Sequence, residues 1–475
     1  MPTAAQQVDI RHCVITAELL PEVHQLRARA QLEVLTLEPA AYVRFELDRN
    51  LKIERVLDAT GKPLAFEPLP EGGLRIDLAQ PVAAEQPVQL TVEYVGAFDP
   101  ALRPEQGPVL ARIAADGSYL LHAAQWFPQT TNPWDRFTAE LHITVPADQT
   151  AVAPGHADAP RQLKGGRQEF IFRTDRPSLP GTLVVGKFEK VTTAAEGVWL
   201  TFFLRTIPTA AISPYAETLG KIFVFFASKF GPLPEPQISV VEIPDDTLEA
   251  YSAPGLLLLP ARQWSSQPNY RLLASEAAQQ WWAYHVSPAS PSEAWLADGF
   301  ARYSEALYVE ANTGEQAFRQ VLEDLTIGAL SEESAAPIAS ADQLSPFSPQ
   351  YRSVVQDKGA MDVHMLRFLL GDETFFGLLR AYTERFAGRA AAISAFEQLA
   401  EEITSNHSTT SLGSGCAQPV SRSSSSNTLS TARKRAFAWA DRFGTSWKSF
   451  ACRSKFVSKP RVNLNLTAFK SKELS

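Results

Sequence analysis

The stretch from Leu272 to Glu310, LLASEAAQQWWAYHVSPASPSEAWLADGFARYSEALYVE, decides how this chain of 475 residues is interpreted. Leu273, Ala277 and Trp281 recur at helical spacing, which predicts an amphipathic helix that ends before a Ser-Pro pair. A second helix is predicted to follow, with Ser292 as its N-cap residue and an Asn-Thr-Gly sequence at its end. Two successive helices therefore carry the polar residues of the stretch.

Four of these polar residues stand at a spacing that zinc-dependent hydrolases use. Ser275, Glu276 and Gln279 lie within about one helical turn, and Asp298 follows Gln279 by 19 positions. A zinc site of this type has histidines at the positions of Ser275 and Gln279, because two imidazoles one turn apart face the same ion. The Glu after the first histidine acts as general base for the zinc-bound water. In this sequence a hydroxyl and an amide replace the two imidazoles.

Three segments resemble the gluzincin zinc aminopeptidases, the family of alanyl aminopeptidase and leukotriene hydrolase. Residues 275–282, SEAAQQWW, stand where the family has His-Glu-x-x-His-x-Trp-Trp or -Phe. Residues 295–301, WLADGFA, stand where it has a Trp-Leu-Asn-Glu-Gly-Phe-Ala segment, and residues 357–360, DKGA, match the end of its Tyr-x-Lys-Gly-Ala segment. The resemblance covers about residues 1–403 and implies a β-sheet N-terminal domain followed by a thermolysin-like domain.

The resemblance also assigns roles to positions in the first two segments. The three zinc ligands would stand at Ser275, Gln279 and Asp298, with Glu276 as the general base and Glu305 as an acidic neighbour of the ligands. A hydroxyl and a primary amide are poor zinc donors, and Asp is one methylene shorter than the family's Glu. We therefore expect no bound zinc or other cofactor, and we expect Glu276 to be a relict base.

Two further family positions differ from the family pattern. Gln356 occupies the place of the Tyr that stabilises the transition state, and a lost oxyanion donor typically costs about 10²–10³ in rate. Ser252 stands near the place of the Glu that binds the substrate's free amine. These differences predict a protein that has lost zinc-dependent peptidase activity and binds a peptide or protein. The alternative is an active metallo-aminopeptidase that holds zinc with unusual ligands.

The rest of the chain predicts a multidomain α+β protein in three parts. Residues 1–195 contain short runs that alternate apolar and polar side chains between turn signals, which predicts packed antiparallel β-sheets. Residues 196–403 are mostly helical by pattern, with a helix break at Gly371. This second part is the predicted thermolysin-like domain.

Residues 404–475 have a different composition and form the third part. They are rich in Ser and Thr and contain 12 Lys plus Arg but 2 Asp plus Glu, a net charge of +10, whereas the rest of the chain carries −18. Such a change is typical of a low-complexity, disordered tail and also of an out-of-frame translation. We favour a frameshift near residue 404, because the preceding AISAFEQLAEEIT is a well-patterned helix that stops without a cap.

The bulk composition excludes several classes of partner. A net charge of −8 argues against nucleic-acid binding, and no apolar run reaches the roughly 18 residues of a membrane span. Three cysteines are too few for a disulfide framework. The opening MPTAAQQVDIRH lacks the apolar stretch of a secretory signal, so a cytoplasmic location is expected by default.

Overall fold

The structure is a computed structural model that describes residues 8–70, 72–101, 107–235, 237–246 and 248–410. The predicted tail lies outside the described residues from residue 411 onward. Its first seven residues continue the last helix of the described ranges, which runs to Thr410. The predicted frameshift or disorder of the tail therefore remains a prediction.

The N-terminal part consists of strands, as the alternating pattern predicts. Their bounds are β1 (Val8–Leu20), β2 (Gln25–Thr36), β3 (Ala40–Phe45), β4 (Leu51–Asp58), β5 (Phe66–Pro68), β6 (Leu74–Val82), β7 (Pro87–Ala97), β8 (Ala111–Arg112), β9 (Ser118–Leu120), β10 (Phe137–Pro146), β11 (Thr150–Val152), β12 (His156–Ala157), β13 (Arg161–Leu163), β14 (Arg167–Ser178), β15 (Leu183–Gly186) and β16 (Glu189–Ala195).

Within the part of the chain that the structure describes, these strands form three sheets besides the one that β16 joins. The largest has eight strands in the order β12-β14-β10-β1-β2-β7-β4, with β13 paired to β14, and its pairs are antiparallel except for β1 and β10. A three-stranded sheet has the order β3-β6-β5, and a four-stranded sheet has the order β11-β15-β9-β8. Strand β10 shows why the sequence folds this way, because every second residue is buried: Phe137, Ala139, Leu141, Ile143 and Val145.

Between residues 196 and 410, the described residues add six strands and eight α-helices. The strands are β17 (Val198–Leu204), β18 (Gln237–Ile243), β19 (Tyr251–Ala253), β20 (Leu256–Pro260), β21 (Val286–Pro288) and β22 (Arg389–Ala391). The helices are α1 (Ile212–Phe230), α2 (Tyr270–Trp282), α3 (Trp295–Thr313), α4 (Glu315–Ser331), α5 (Pro349–Tyr351), α6 (Lys358–Leu370), α7 (Asp372–Arg385) and α8 (Ile393–Thr410), with a π-helical segment at Arg352–Asp357 between α5 and α6.

The predicted multidomain α+β fold class is confirmed, and one sheet joins the two parts. This sheet has the order β16-β17-β18-β20-β19, so β16 pairs with β17 across residue 195. The hairpin between them turns at Glu196 and Gly197, which both have positive φ, as a tight two-residue turn requires. Residues 189–195 thus belong structurally to the sheet that supports the helices.

Local signals at helix ends were partly correct. Helix α2 begins after Asn269, whose side chain accepts a hydrogen bond from the Leu272 backbone, and α6 and α7 are separated at Gly371 as predicted. The prediction that Ser292 caps α3 was wrong. The chain makes a 3₁₀ turn at Pro291–Glu293 before α3, and Ser292 lies inside that turn, with its hydroxyl on Ser290.

Buried aromatic residues and one close backbone contact fix the helices around α2 and α3. Trp281 and Trp282 are buried against Phe230 of α1, and the Trp282 indole donates to Ser304 of α3. Helix α3 touches α6 at a glycine, because a Cβ added to Gly299 would lie 2.9 Å from the Gly359 backbone. No helix in the described ranges is long and apolar enough to cross a membrane.

Candidate functional site

The predicted site residues on α2 and α3 meet at a point where four elements pack together. Helix α2 packs against both α3 and β19, and α3 also packs against the π-helical segment before α6. These contacts bring together two neighbouring hydrogen-bonded groups, Ser252 of β19 with Glu276 of α2, and Gln279 with Asp298 of α3 and Tyr351 of α5, and the charge of Asp298 acts on Glu276. We call the two groups together the Glu276–Asp298 site.

The carboxyl group of Glu276 is held by a serine rather than by a cation. The Ser252 hydroxyl lies 2.5 Å from Glu276 Oε2 and 2.9 Å from the Glu276 carbonyl oxygen. The Tyr284 hydroxyl in turn donates to the Ser252 carbonyl and fixes the strand. Burial raises the pKa of Glu276 to about 7; the Ser252 hydrogen bond opposes this rise, and the charges of Asp298 and Glu249 add to it. Glu276 is therefore partly protonated near neutral pH.

Both carboxylate oxygens of Asp298 accept hydrogen bonds from neutral side chains. The amide Nε2 of Gln279 donates to Oδ1 at 3.0 Å, and the Tyr351 hydroxyl donates to Oδ2 at 2.6 Å. Burial raises the pKa of Asp298, while these two hydrogen bonds oppose the rise. Asp298 thus links Gln279, which stands at a family ligand position, to Tyr351, which lies five residues before the family's tyrosine position at Gln356.

The amide of Gln279 is oriented by its neighbour. Its Nε2 faces Asp298, and a flipped amide would set an oxygen against a carboxylate. The other amide atom, Oε1, is buried and has no hydrogen-bond partner within the described residues. Ser275 is half-buried on the same helix, and its hydroxyl bonds neither Gln279 nor Asp298.

The donor set at this point differs from that of a zinc site. Of the three family ligand positions, Asp298 alone carries an ionisable side chain. Across the described ranges, no three His, Cys, Asp or Glu side chains are grouped so as to hold a metal ion. His364 lies on α6 and contacts Tyr303, with its Nδ1 2.9 Å from the Tyr303 hydroxyl oxygen. Burial lowers the pKa of His364 to about 4.

Two predicted site residues lie apart from the carboxyl groups of Glu276 and Asp298. Gln356 is half-buried in the π-helical segment and forms no hydrogen bond with either carboxylate. Glu305 is buried one to two turns further along α3 and pairs with Arg271 and Arg302 rather than with the positions of the family ligands.

Tyr351 is the residue that the sequence analysis missed. It precedes Gln356 by five residues and ends α5, directly before the π-helical segment that contains Gln356. The phenol sought at position 356 is thus present five residues earlier. A search for a tyrosine within two turns upstream of the Lys-Gly-Ala segment would have found it.

Comparison with known proteins agrees with this architecture. Residues 219–414 match the model of the peptidase family M1 domain. Aminopeptidase M1-B of Oryza sativa subsp. japonica is 25% identical over 374 residues, which cover 74% of this chain and 40% of that protein. Human aminopeptidase N is 28% identical over 313 residues, covering 59% of this chain and 32% of its own length.

A solved structure is similar over nearly its whole length. The M1 zinc metallopeptidase of Deinococcus radiodurans has a TM-score of 0.68 at 22% identity, with 86% of this chain and 93% of that chain covered. A second structure of that enzyme, the E323A mutant bound to Tyr-ser-ala substrate, gives a TM-score of 0.68 at 22% identity and covers 87% of this chain and 96% of that chain.

The fold is that of a two-part M1 metallopeptidase, with a β-sheet part followed by a mostly helical part. The chain is similar to gluzincin aminopeptidases over the residues matched, as its sequence motifs indicated. It spans about 40% or less of the length of the curated relatives reported above.

Proposed function

We propose that this protein binds peptides at the Glu276–Asp298 site and does not hydrolyse them by zinc chemistry. The observation that carries the proposal is that both oxygens of Asp298 accept hydrogen bonds from Gln279 and Tyr351. The side chains at two of the three family ligand positions therefore bond each other. They do not present three convergent lone pairs to an ion.

The residues present do not fit a zinc ion. An uncharged amide whose N–H faces the site and a serine hydroxyl supply no anionic or imidazole donor, which zinc requires for tight binding. Water that is not bound to zinc keeps a pKa near about 15.7, against about 7 on the metal. A carboxylate with a pKa of about 7, such as Glu276, is too weak a base to compensate for that difference.

Peptide binding is the activity that this arrangement leaves available. The fold is retained together with a polar wall of side chains, in which Gln279 is half-buried and Ser252 and Tyr351 are buried. A solved relative of the same fold was crystallised with the peptide Tyr-ser-ala. A peptide's amide and amine groups are suitable partners for such a wall.

The proposal is tested by trying to restore the metal site. The triple variant Ser275→His, Gln279→His, Asp298→Glu is expected to bind zinc stoichiometrically, whereas the unchanged protein binds none after dialysis. The pair Glu315→His with Arg319→His is a matched control, because these residues form an exposed pair four apart on α4. Calorimetric titration with short peptides is expected to give measurable binding to the unchanged protein.

Two outcomes would contradict the proposal. Zinc-dependent release of N-terminal residues by the unchanged protein would favour the alternative function, a metallo-aminopeptidase with unusual ligands. Absence of heat or mobility change across a broad peptide library would remove the binding function.

A further inference from the structure

A surface pocket lies beside the Glu276–Asp298 site and is lined by three arginines. It has a volume of about 430 Å³ and lies between α2, α3, α4 and the π-helical segment. Its arginines are Arg271, Arg302 and Arg352, and its acidic lining residues are Asp324 and Asp357. We call it the arginine pocket.

The arginine pocket is about one helical turn from two of the family's ligand positions, Ser275 on α2 and Asp298 on α3. Arg271 precedes Ser275 by four residues on α2, and Arg302 follows Asp298 by four residues on α3. Residues four apart lie on the same face of a helix, about 6 Å apart along the axis. A ligand bound at the Glu276–Asp298 site that extends along this face would therefore reach the arginines.

Two buried acids hold the arginines in place. Glu305 is 2% exposed and accepts from Arg271 Nε at 2.7 Å and from a terminal nitrogen of Arg302. Asp357 is 4% exposed and accepts from Arg302 Nε at 3.0 Å. The Arg302 guanidinium is thus held between two carboxylates. Ligand binding therefore costs less conformational entropy of this side chain.

The guanidinium groups have more donors than these acids use. The terminal nitrogens of Arg271 and the second terminal nitrogen of Arg302 donate to no residue in the described ranges. Arg352 has a side chain that is 60% exposed, and its Nε lies 3.9 Å from Asp357 Oδ2, too far for a hydrogen bond. Each guanidinium carries five N–H groups in a planar fork that matches a carboxylate.

The unused N–H groups of the arginines, rather than a net charge, favour an anionic ligand. Three guanidinium groups face two buried carboxylates, Glu305 and Asp357. The remaining acid, Asp324, is exposed at the rim, where water screens its charge. Gly328 lets α4 approach closely, because a Cβ there would lie 2.3 Å from Asp357 Oδ2. The three guanidinium groups and the three acids Glu305, Asp357 and Asp324 balance in charge, so a carboxylate would be bound by the N–H groups that the acids leave unused.

We propose that the arginine pocket binds a carboxylate of the peptide that occupies the neighbouring site, an inference that rests on the proposed peptide binding. The group is the peptide's own C-terminal carboxylate or an acidic side chain, since both present the same two oxygens. Arg352 donates to it from the open side, and Arg271 donates to it from α2.

Three peptides of one neutral sequence separate these two sources by calorimetry. The first has a free C-terminus, the second is amidated, and the third is amidated and carries one glutamate. The first and third are expected to bind more tightly than the second. If the first alone binds tightly, the C-terminal carboxylate is the ligand; if the third alone does, the acidic side chain is the ligand.

Two exposed substitutions with matched controls connect the preference to the pocket. Arg352→Gln is expected to weaken binding of the carboxylate-bearing peptides about tenfold and to leave the neutral amide unchanged. Arg319→Gln, an exposed arginine of α4 outside the pocket lining, is the control and is expected to change neither.

The second substitution predicts a gain, which misfolding cannot produce. Asp324→Asn removes the negative charge at the rim and is expected to tighten binding of the carboxylate-bearing peptides about twofold to threefold. Glu323→Gln, its exposed neighbour outside the pocket lining, is the control and is expected to leave affinity unchanged.

The outcomes separate a failure of the arginine-pocket proposal from a failure of the proposed peptide binding. Equal affinity for all three peptides, with no effect of Arg352→Gln or Asp324→Asn, would overturn the arginine pocket and leave peptide binding intact. No binding of any peptide would overturn the proposed function and this inference together.

Discussion

The Glu276–Asp298 site and the arginine pocket are adjacent regions that stabilise carboxylates in opposite ways. In the first, neutral hydroxyl and amide groups donate to both acids. In the second, two arginines donate to Glu305 and one of them also to Asp357. An acid bonded to neutral donors can be replaced by an amide without stranding a charge, whereas an acid bonded to arginine cannot. Replacing an acid by an amide at the family's ligand positions is therefore expected to destabilise the protein less than the same replacement in the arginine pocket.

The largest expected effect comes from removing the central cation of the arginine pocket. Arg302→Met leaves Asp357 without its hydrogen-bonded cation and leaves Glu305 with Arg271 alone, and breaking such a buried pair costs about 3–5 kcal/mol. Urea unfolding measures this loss. Arg319→Met is the control, because the exposed Arg319–Glu315 pair is expected to contribute less than about 1 kcal/mol. Equal losses for the two variants would refute the contrast.

A pair of acid-to-amide substitutions tests the comparison directly. Glu305→Gln is expected to cost about 2 kcal/mol in the free energy of unfolding, because it weakens charge-assisted bonds to two arginines. Asp298→Asn is expected to cost less than about 1 kcal/mol, because the free Oε1 of Gln279 can turn and accept from the new amide. A larger loss for Asp298→Asn than for Glu305→Gln would show that the contrast between the two regions is incorrect.

The glycine contact between α3 and α6 is expected to matter for both regions. Gly299→Ala introduces a Cβ 2.9 Å from the Gly359 backbone, so overpacking is expected to cost about 1–3 kcal/mol and to separate Asp298 from Tyr351. Gly377→Ala on α7 is the control, because its Cβ meets nothing within 4 Å and the change is expected to be neutral or stabilising. Thermal unfolding of the two variants measures the difference.

A pH-dependent effect is expected from an acid that has neither an arginine nor a full set of donors. Burial raises the pKa of Asp362 to about 8, the nearby Lys358 lowers it, and Asp362 Oδ1 has no partner within the described residues. The folded state therefore keeps a proton that the unfolded state releases near its ordinary pKa of about 3.9. Stability from this group is thus expected to fall as pH rises from about 4 to about 8, by at most about 1.4 kcal/mol for each pH unit. Asp362→Asn should remove that part of the pH dependence, which melting curves measured at several pH values detect.

The sequence predicted most of this fold because the relevant signals are local. Alternation in strands such as β10, helical spacing around Trp281 and the break at Gly371 each depend on neighbouring residues. The prediction that Ser292 caps α3 was wrong because Ser292 lies in a short 3₁₀ turn, which the same types of residue also favour. The boundary predicted at residue 195 falls between two paired strands. The sequence pattern does not show that β16 pairs with the strand that follows it.

The sequence predicted which positions form the candidate site but not the hydrogen bonds that their side chains make. The resemblance placed Glu276, Gln279 and Asp298 on adjacent helices, and these residues are neighbours in the structure. The partner of Asp298 was not predictable, because Tyr351 lies directly before a π-helical segment that has no sequence pattern of its own. The pairing of Glu305 with two arginines likewise depends on contacts between helices.

Metal content measured on the purified, unchanged protein tests the central claim most directly. After incubation with zinc and dialysis, elemental analysis is expected to find far less than one zinc ion per chain, because Gln279 and Tyr351 already bond both oxygens of Asp298. One tightly held zinc ion per chain, lost when Asp298 is replaced by Ala, would contradict the account.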